Sequence, residues 1–369
     1  MAENKRQHFV PQFYLKNFSD DELHIYAYNI KRKKTFNTLI KTSCRKDYFY
    51  GKNLEVEKLL SELESIQKEI LDEVISTKNV DVSSSEKHGI LLSFLIMQKL
   101  RTQAAKTDSN LFLNHFFDQY IKPMMKNNKD FEKYSDEYIQ GLKMESPDFF
   151  YKSGIPMALE SFFAIMDLRP IIIGINSDKE FLTSDNPVIF NNYVDFKGYP
   201  LLSLVSPGLQ IICPLTNKLM LFLFDNDMYT LKKNSISSED IDSFNEIQIL
   251  NCDENVFFKD KNIQEYVENF DIKNVRNTWE KQIRLKILDK KNDETNKKYS
   301  EILAVTGPVI NYCQKFSFIG LNLENNRRLK GKLRIISKKK FPQIVCRNEE
   351  IFQELQKIRA CEDRTIDDE

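Results

Sequence analysis

The chain has 369 residues, 41% hydrophobic and 29% charged, the composition of a folded globular protein rather than a disordered one. Lysine plus arginine equals aspartate plus glutamate at 54 each, so net charge selects no partner; only 10 glycines, with no GxxxxGK[ST] and no GxGxxG, argue against the usual phosphate loops. Six dispersed cysteines without CxxC or zinc spacing, a polar N-terminus and no run of about 18 apolar residues lead us to expect a cytoplasmic protein with free thiols, no secretory leader and no membrane span.

Pro11 suits the first turn of a helix, and PQFYLKNF reads as a short one. LHIYAYNIKRKKTFNTLI alternates as a hairpin, with Leu23, Ile25 and Ala27 on one side and His24, Tyr26 and Tyr28 on the other. IKTSCRKDYFYGKN reads as extended or irregular. From 54 to 76, Leu54, Leu59, Leu63, Ile66, Ile70 and Val74 recur at helical steps, and Glu57 and Glu64, seven apart, share a face. SSSEK supplies caps for a long helix over roughly 85–106, apolar nearly all round and so central and buried. Arg101 and Gln98 continue its apolar stripes, and a buried guanidinium there needs an anionic partner, from protein or ligand.

Further helices are predicted over 108–126, 131–144 and 154–167. RPIIIGINSDKEFLTSDNPVIFNN then reads as two strands with an Asn-Ser-Asp turn, and GLQIICPLTNKLMLFLFD as a strand pair turned at 215–218. SSEDIDSFNEIQILNC carries helix-cap chemistry, and helical text continues to about 290. The expected fold is α+β: a helical bundle around a central buried helix, packed on a small, mostly antiparallel sheet. It divides into a domain over 1–288, a linker over 289–299 and a basic, strand-rich region over 300–369 that ends in a helix at 347–359.

HFVPQFYLKNF at 8–18, LRTQ at 100–103 and FLTSDNPVI at 181–189 together resemble the bacterial domain-of-unknown-function family 4238. The proline-containing strand pair at 212–224 and Asn245 extend the resemblance to about residues 7–260. It implies an association with mobile elements and defence islands, and no chemistry.

Several polar residues are candidates for a site. His8 titrates near neutrality and suits acid–base work or anion binding, although orienting the chain into the Pro11 helix explains it equally. Gln12 lies a helical turn further on. Asp185 and Asn186 stand at a strand end, where turn chemistry also accounts for Ser-Asp-Asn-Pro. Arg101 and Asp185 complement each other, so we expect His8, Gln12, Arg101, Asp185 and Asn186 to converge in one pocket. There Arg101 would hold phosphate, His8 would move a proton, and Asp185 would orient water, His8 or a divalent metal. Glu57 and Glu64 could bind a metal or split into acid and base, against the commoner reading of exposed helix carboxylates.

Arg327, Arg328, Lys330, Lys332, Arg334, Lys338, Lys339 and Lys340 form a local basic run, suited to a nucleic-acid backbone or to protecting a solvated edge strand. The expected function is a nuclease or other phosphoester-acting enzyme of a defence or toxin system, with nucleic acid or a nucleotide as partner. The alternatives are a nucleotide- or ligand-sensing module and a partner-binding protein with a structural ion-pair network.

Overall fold

The computed structural model describes residues 5–52, 54–118, 122–126, 137–138, 161–194, 203–233, 235–271, 284–291, 298–305, 314–322, 334–336 and 344–346. Helices and antiparallel sheets make it an α+β fold. Strand β1 (Arg6–His8) leads through Pro11 into helix α1 (Gln12–Lys16), and the hairpin β2 (His24–Asn29) and β3 (Lys34–Leu39) follows as its alternation predicts. The irregular stretch after it folds back: β4 (Arg45–Asp47) pairs antiparallel with β1, placing His8 opposite Arg45.

Helix α2 (Glu55–Thr77) buries Val56, Leu60, Leu71 and Val74. Leu59 and Ile66, on the predicted apolar series, are instead 39% and 49% exposed. Helix α3 (Ser85–Leu100) starts at Ser84, whose side chain accepts from the Lys87 amide, and is buried almost throughout. It stops at Leu100 rather than 106; Arg101 is its C-cap, and α4 (Gln103–Phe116) and α5 (Lys122–Lys126) follow. The predicted helix at 131–144 lies outside the described residues but for two of them, and the end of the one at 154–167 is a short 3₁₀ turn, Phe162–Ile165.

Strand β5 (Leu168–Gly174) does not pair with the next strand in sequence, β6 (Thr183–Ser184). It joins β7 (Ile189–Asn191), β8 (Gln210–Pro214) and β9 (Leu219–Asp225) in the antiparallel order β5-β9-β8-β7, with β8 and β9 paired as predicted. The other large sheet has the order β3-β2-β11-β6, where β11 (Asn255–Phe258) stands in a stretch expected to be helical. Between them in sequence come β10 (Tyr229–Leu231) and α6 (Ser238–Asn251), which opens with a capping box between Ser237 and Asp240; α7 (Gln264–Asn269) follows β11.

Strand β9 shows how the core divides. Leu219, Leu221 and Leu223 face a core shared with α1, α2 and α3, while Met220, Phe222 and Phe224 face a second core with α6. A strand buried on both faces needs no polar alternation, which is why LMLFLFD is apolar throughout.

Residues 289–299, expected as a linker, overlap the paired strands β12 (Arg284–Lys291) and β13 (Lys298–Val305). Strand β14 (Ile319–Leu321) pairs with β10, and Phe316 and Phe318 are buried in the second core, so this stretch of the C-terminal region belongs to the main body. β15 (Arg334–Ile336) pairs with β16 (Ile344–Cys346). Of the basic run only Arg334 stands in a described element; Arg327, Arg328, Lys330, Lys332, Lys338, Lys339, Lys340 and the helix at 347–359 lie outside the described residues.

Candidate functional site: a polar cleft between α1 and α2

Helical geometry puts Glu57, Ser61, Glu64, Lys68 and Asp72, spaced by four, three, four and four residues, on one face of α2. That face lines a cleft of about 640 Å³, with His8 from β1, Gln12, Phe13, Lys16 and Asn17 from in and around α1, and Glu22 from the following loop. Two pairs of cleft charges neutralise each other: Lys16 with Glu22 at 3.3 Å, and Lys68 with Asp72. Glu64 accepts from Arg101 Nη1 at 2.8 Å. Among the described residues Glu57 is the lining carboxyl with no ion pair. Burial, then the neighbouring Glu64, raise it to about 7, against the pull of Arg101.

His8 is held from several sides. Its strand pairs with β4, Tyr50 Oη donates to its carbonyl at 2.8 Å, and the Gln7 side chain before it accepts from the Tyr50 amide at 2.7 Å. Its Nε2 lies 3.2 Å from the Lys41 carbonyl, which can only accept, so Nε2 carries the proton and a neutral ring has its lone pair on Nδ1. Burial lowers the His8 pKa, opposed by the Lys41 carbonyl and Glu64.

Arg101 lies under this cleft and does not line it; the residue is 3% exposed. Gln98 Oε1 accepts from its Nε at 3.1 Å, and Gln98 Nε2 donates to the Phe9 carbonyl. Burial works against its charge, but Glu64, Tyr50 and Glu57 together outweigh that and raise its pKa.

The expected convergence of five residues divides into two groups. His8 and Gln12 line the cleft, with Arg101 behind Glu64. Asp185 and Asn186 are elsewhere, and Arg101 does not pair with Asp185. The reason is local: Asp185 Oδ1 accepts from the Asp253 amide at 2.7 Å, and Oδ2 from Glu254 and Asn255 at 2.8 and 2.9 Å. Its carboxylate clamps the turn into β11, and its burial raises the pKa to about 6 despite these donors. Asn186 ties the same strand end to α6 by donating to the Asn251 carbonyl at 2.9 Å. Asp185 lines a separate pocket of about 220 Å³ with Cys44, Arg45 and Asn255. Among the described residues no three His, Cys, Asp or Glu side chains are grouped to hold a metal ion.

The aromatic opening segment is framework. Tyr14 Oη donates to the Pro214 carbonyl at 2.6 Å and lies 2.8 Å from Thr183 Oγ1. Asn245 accepts from the Leu182 amide and donates to the Glu180 carbonyl. The segments that carry the family resemblance therefore touch one another inside the fold.

A family model, "Protein of unknown function (DUF4238)", matches residues 6–262. The chain belongs to this family. No curated protein and no solved structure matches the chain. The DUF4238 region contains every residue of the cleft and of the buried network beneath it, as well as the Tyr14–Thr183 and Asn245 contacts. Sequence reasoning singled out His8, Gln12 and the shared face of Glu57 and Glu64. Ser61 and Lys68 complete that face by the same periodicity; Gln98 is marked only by its place on an apolar stripe of α3, and Tyr50 carries no local signal for its role.

Proposed function

We propose that the cleft between α1 and α2 is the acid–base centre of a hydrolase, with a phosphodiester as its first candidate substrate. The observation that carries this reading is Glu57: a carboxyl raised to about 7, in the same cleft as a half-buried His8. A group whose pKa lies near the working pH exchanges protons most effectively. Neutral His8 takes a proton from the attacking hydroxyl or water, and protonated Glu57 gives one to the leaving oxygen. Because the other cleft charges pair off, the cleft suits a neutral or singly charged linkage rather than a polyphosphate. Arg101 holds no phosphate here, because it is sealed behind Glu64.

A defence or toxin effector is the setting that the family resemblance suggests. Three buried free thiols, Cys44, Cys213 and Cys252, suit a cytoplasmic location, and no helix among the described residues is long and apolar enough to cross a membrane. A second reading, a binding module without turnover, is favoured by the number of motif residues used up in buried framework bonds.

The test is cleavage of labelled RNA and DNA across pH. Activity should be bell-shaped, falling on the alkaline side as Glu57 loses its proton near 7 and on the acid side as His8 gains one. Glu57→Gln should lower turnover about 10²- to 10⁴-fold with the fold intact. No cleavage of either polymer, alongside binding of a nucleotide that His8→Ala abolishes, would leave the binding module.

A further inference from the structure

Two carboxyl groups on one helix face compete for one proton, and something must decide which keeps it. We infer that Arg101 is a positioning residue: fixed beneath the cleft by Gln98, it takes the Glu64 carboxylate as its counter-ion and leaves Glu57 to carry the cleft's proton. The inference rests on the proposed acid–base role of the cleft and assigns a role to a residue that touches no substrate.

Geometry makes the choice one-sided. Arg101 Nη1 reaches Glu64 Oε1 at 2.8 Å, and Nε is held at 3.1 Å by Gln98 Oε1. Gln98 is held in turn by the carbonyl of Phe9, the residue after His8, at 3.2 Å. One buried chain of bonds thus sets the guanidinium against the backbone segment that carries the other proton-transfer group. Among the described residues Arg101 Nη2 is buried without a hydrogen-bond partner, a state that costs stability. Its ion-pair partner Glu64 is 28% exposed, and an ion pair that reaches solvent stabilises little, so stability is a weak account of this one. A lysine would keep the charge but could not span Glu64 and Gln98 with a planar fork. Around Glu57 the other charged or titratable groups are Glu64 on the same helix, Tyr50 below, His8 and the Lys16–Glu22 pair across the cleft. The Lys68–Asp72 pair lies further along α2.

The experiment is a pH titration of the Glu57 side-chain carboxyl in the full chain, followed by carbon NMR with ¹³C-labelled glutamate. The resonance is identified by its loss in Glu57→Gln. In Glu64→Gln, Arg101 loses its counter-ion and the Glu57 midpoint should fall; in the double variant Glu64→Gln/Arg101→Gln, which removes both charges, it should recover. If Glu64→Gln leaves the buried Arg101 unpaired and does not fold, Glu64→Asp, whose shorter side chain withdraws from Arg101, takes its place in the comparison with the double variant. A higher midpoint in the double variant supports the assignment, and equal midpoints overturn it. The titration needs no substrate, so it stands if no cleavage is found. If cleavage is found and the midpoint does not move, only the role of Arg101 falls.

Discussion

His88 lies on the buried side of α3, 6% exposed, and among the described residues its Nε2 meets no hydrogen-bond partner. Burial lowers its pKa below the ordinary 6.5. Between the folded and unfolded values the unfolded chain binds more protons, so stability rises with pH across that window. The contribution is complete above about 6.5 and is lost as pH falls through the folded value. Urea midpoints measured down from neutral pH should therefore fall more steeply for the wild type than for His88→Gln; parallel curves would refute this. Asp185 has the opposite sign. Its carboxyl is raised to about 6, so the stability tied to its protonated form is present below the unfolded value and lost as pH rises through 6. Asp185→Asn keeps a single acceptor oxygen for three backbone donors, and should cost about 2–4 kcal/mol near neutral pH. Because Asp185 lies outside the cleft, turnover per folded molecule should persist in that variant. A stable but inactive Asp185→Asn would return Asp185 to the site.

Helix α2 carries both the cleft and part of the core, and its two apolar series behave differently. Leu71 is 1% exposed and packs in the core with α3, whereas Ile66 is 49% exposed. Leu71→Ala should cost about 2–5 kcal/mol through lost burial and a residual cavity. Ile66→Ala should stay within about 0.5 kcal/mol. Equal losses in chemical denaturation would show that the outer series is also packed. The sequence pattern shows a helix here, but two apolar series at helical spacing leave its orientation open. The elements that could be read directly are those whose signals are local: the proline start of α1, the β2–β3 alternation, the β8–β9 pair and the Ser237 capping box. Those that could not depend on distant partners. β1 is a strand only because β4 returns to it 37 residues later at the His8–Arg45 pairing. β11 is a strand because it inserts between β2 and β6. The cleft follows the same division: His8, Gln12 and the Glu57–Glu64 face were legible, while the pairing of Arg101 with Glu64 rather than Asp185 required the position of the turn at 253–255.

At the scale of the whole molecule, the family region ends at residue 262, but the core does not. Phe316 stacks on Phe244 with ring centroids 4.1 Å apart and meets Phe222 edge-on at 5.9 Å. Between Phe316 and Phe318, the Ser317 amide and hydroxyl both donate to Asp240, each at 2.6 Å. That carboxylate also forms the capping box of α6, so the C-terminal segment closes the start of this helix as well as covering its aromatic side. Phe316, Phe318 and Ile319 are 3%, 2% and 2% exposed. Burying three such side chains is worth roughly 5–9 kcal/mol at about 1.5–3 kcal/mol each, comparable to the entire stability of a typical domain. A chain ending after Asp271 would keep the complete family region and the cleft, yet leave Phe222 and Phe244 facing water. We expect it to lose cooperative unfolding or aggregate, with early proteolytic cuts around β9 and α6. Phe316→Ala in the full chain should cost about 3–5 kcal/mol and leave the cleft intact, because the lining residues belong to the other core and its surface. A truncated chain that melts cooperatively at the wild-type temperature would show instead that the family region closes its own core.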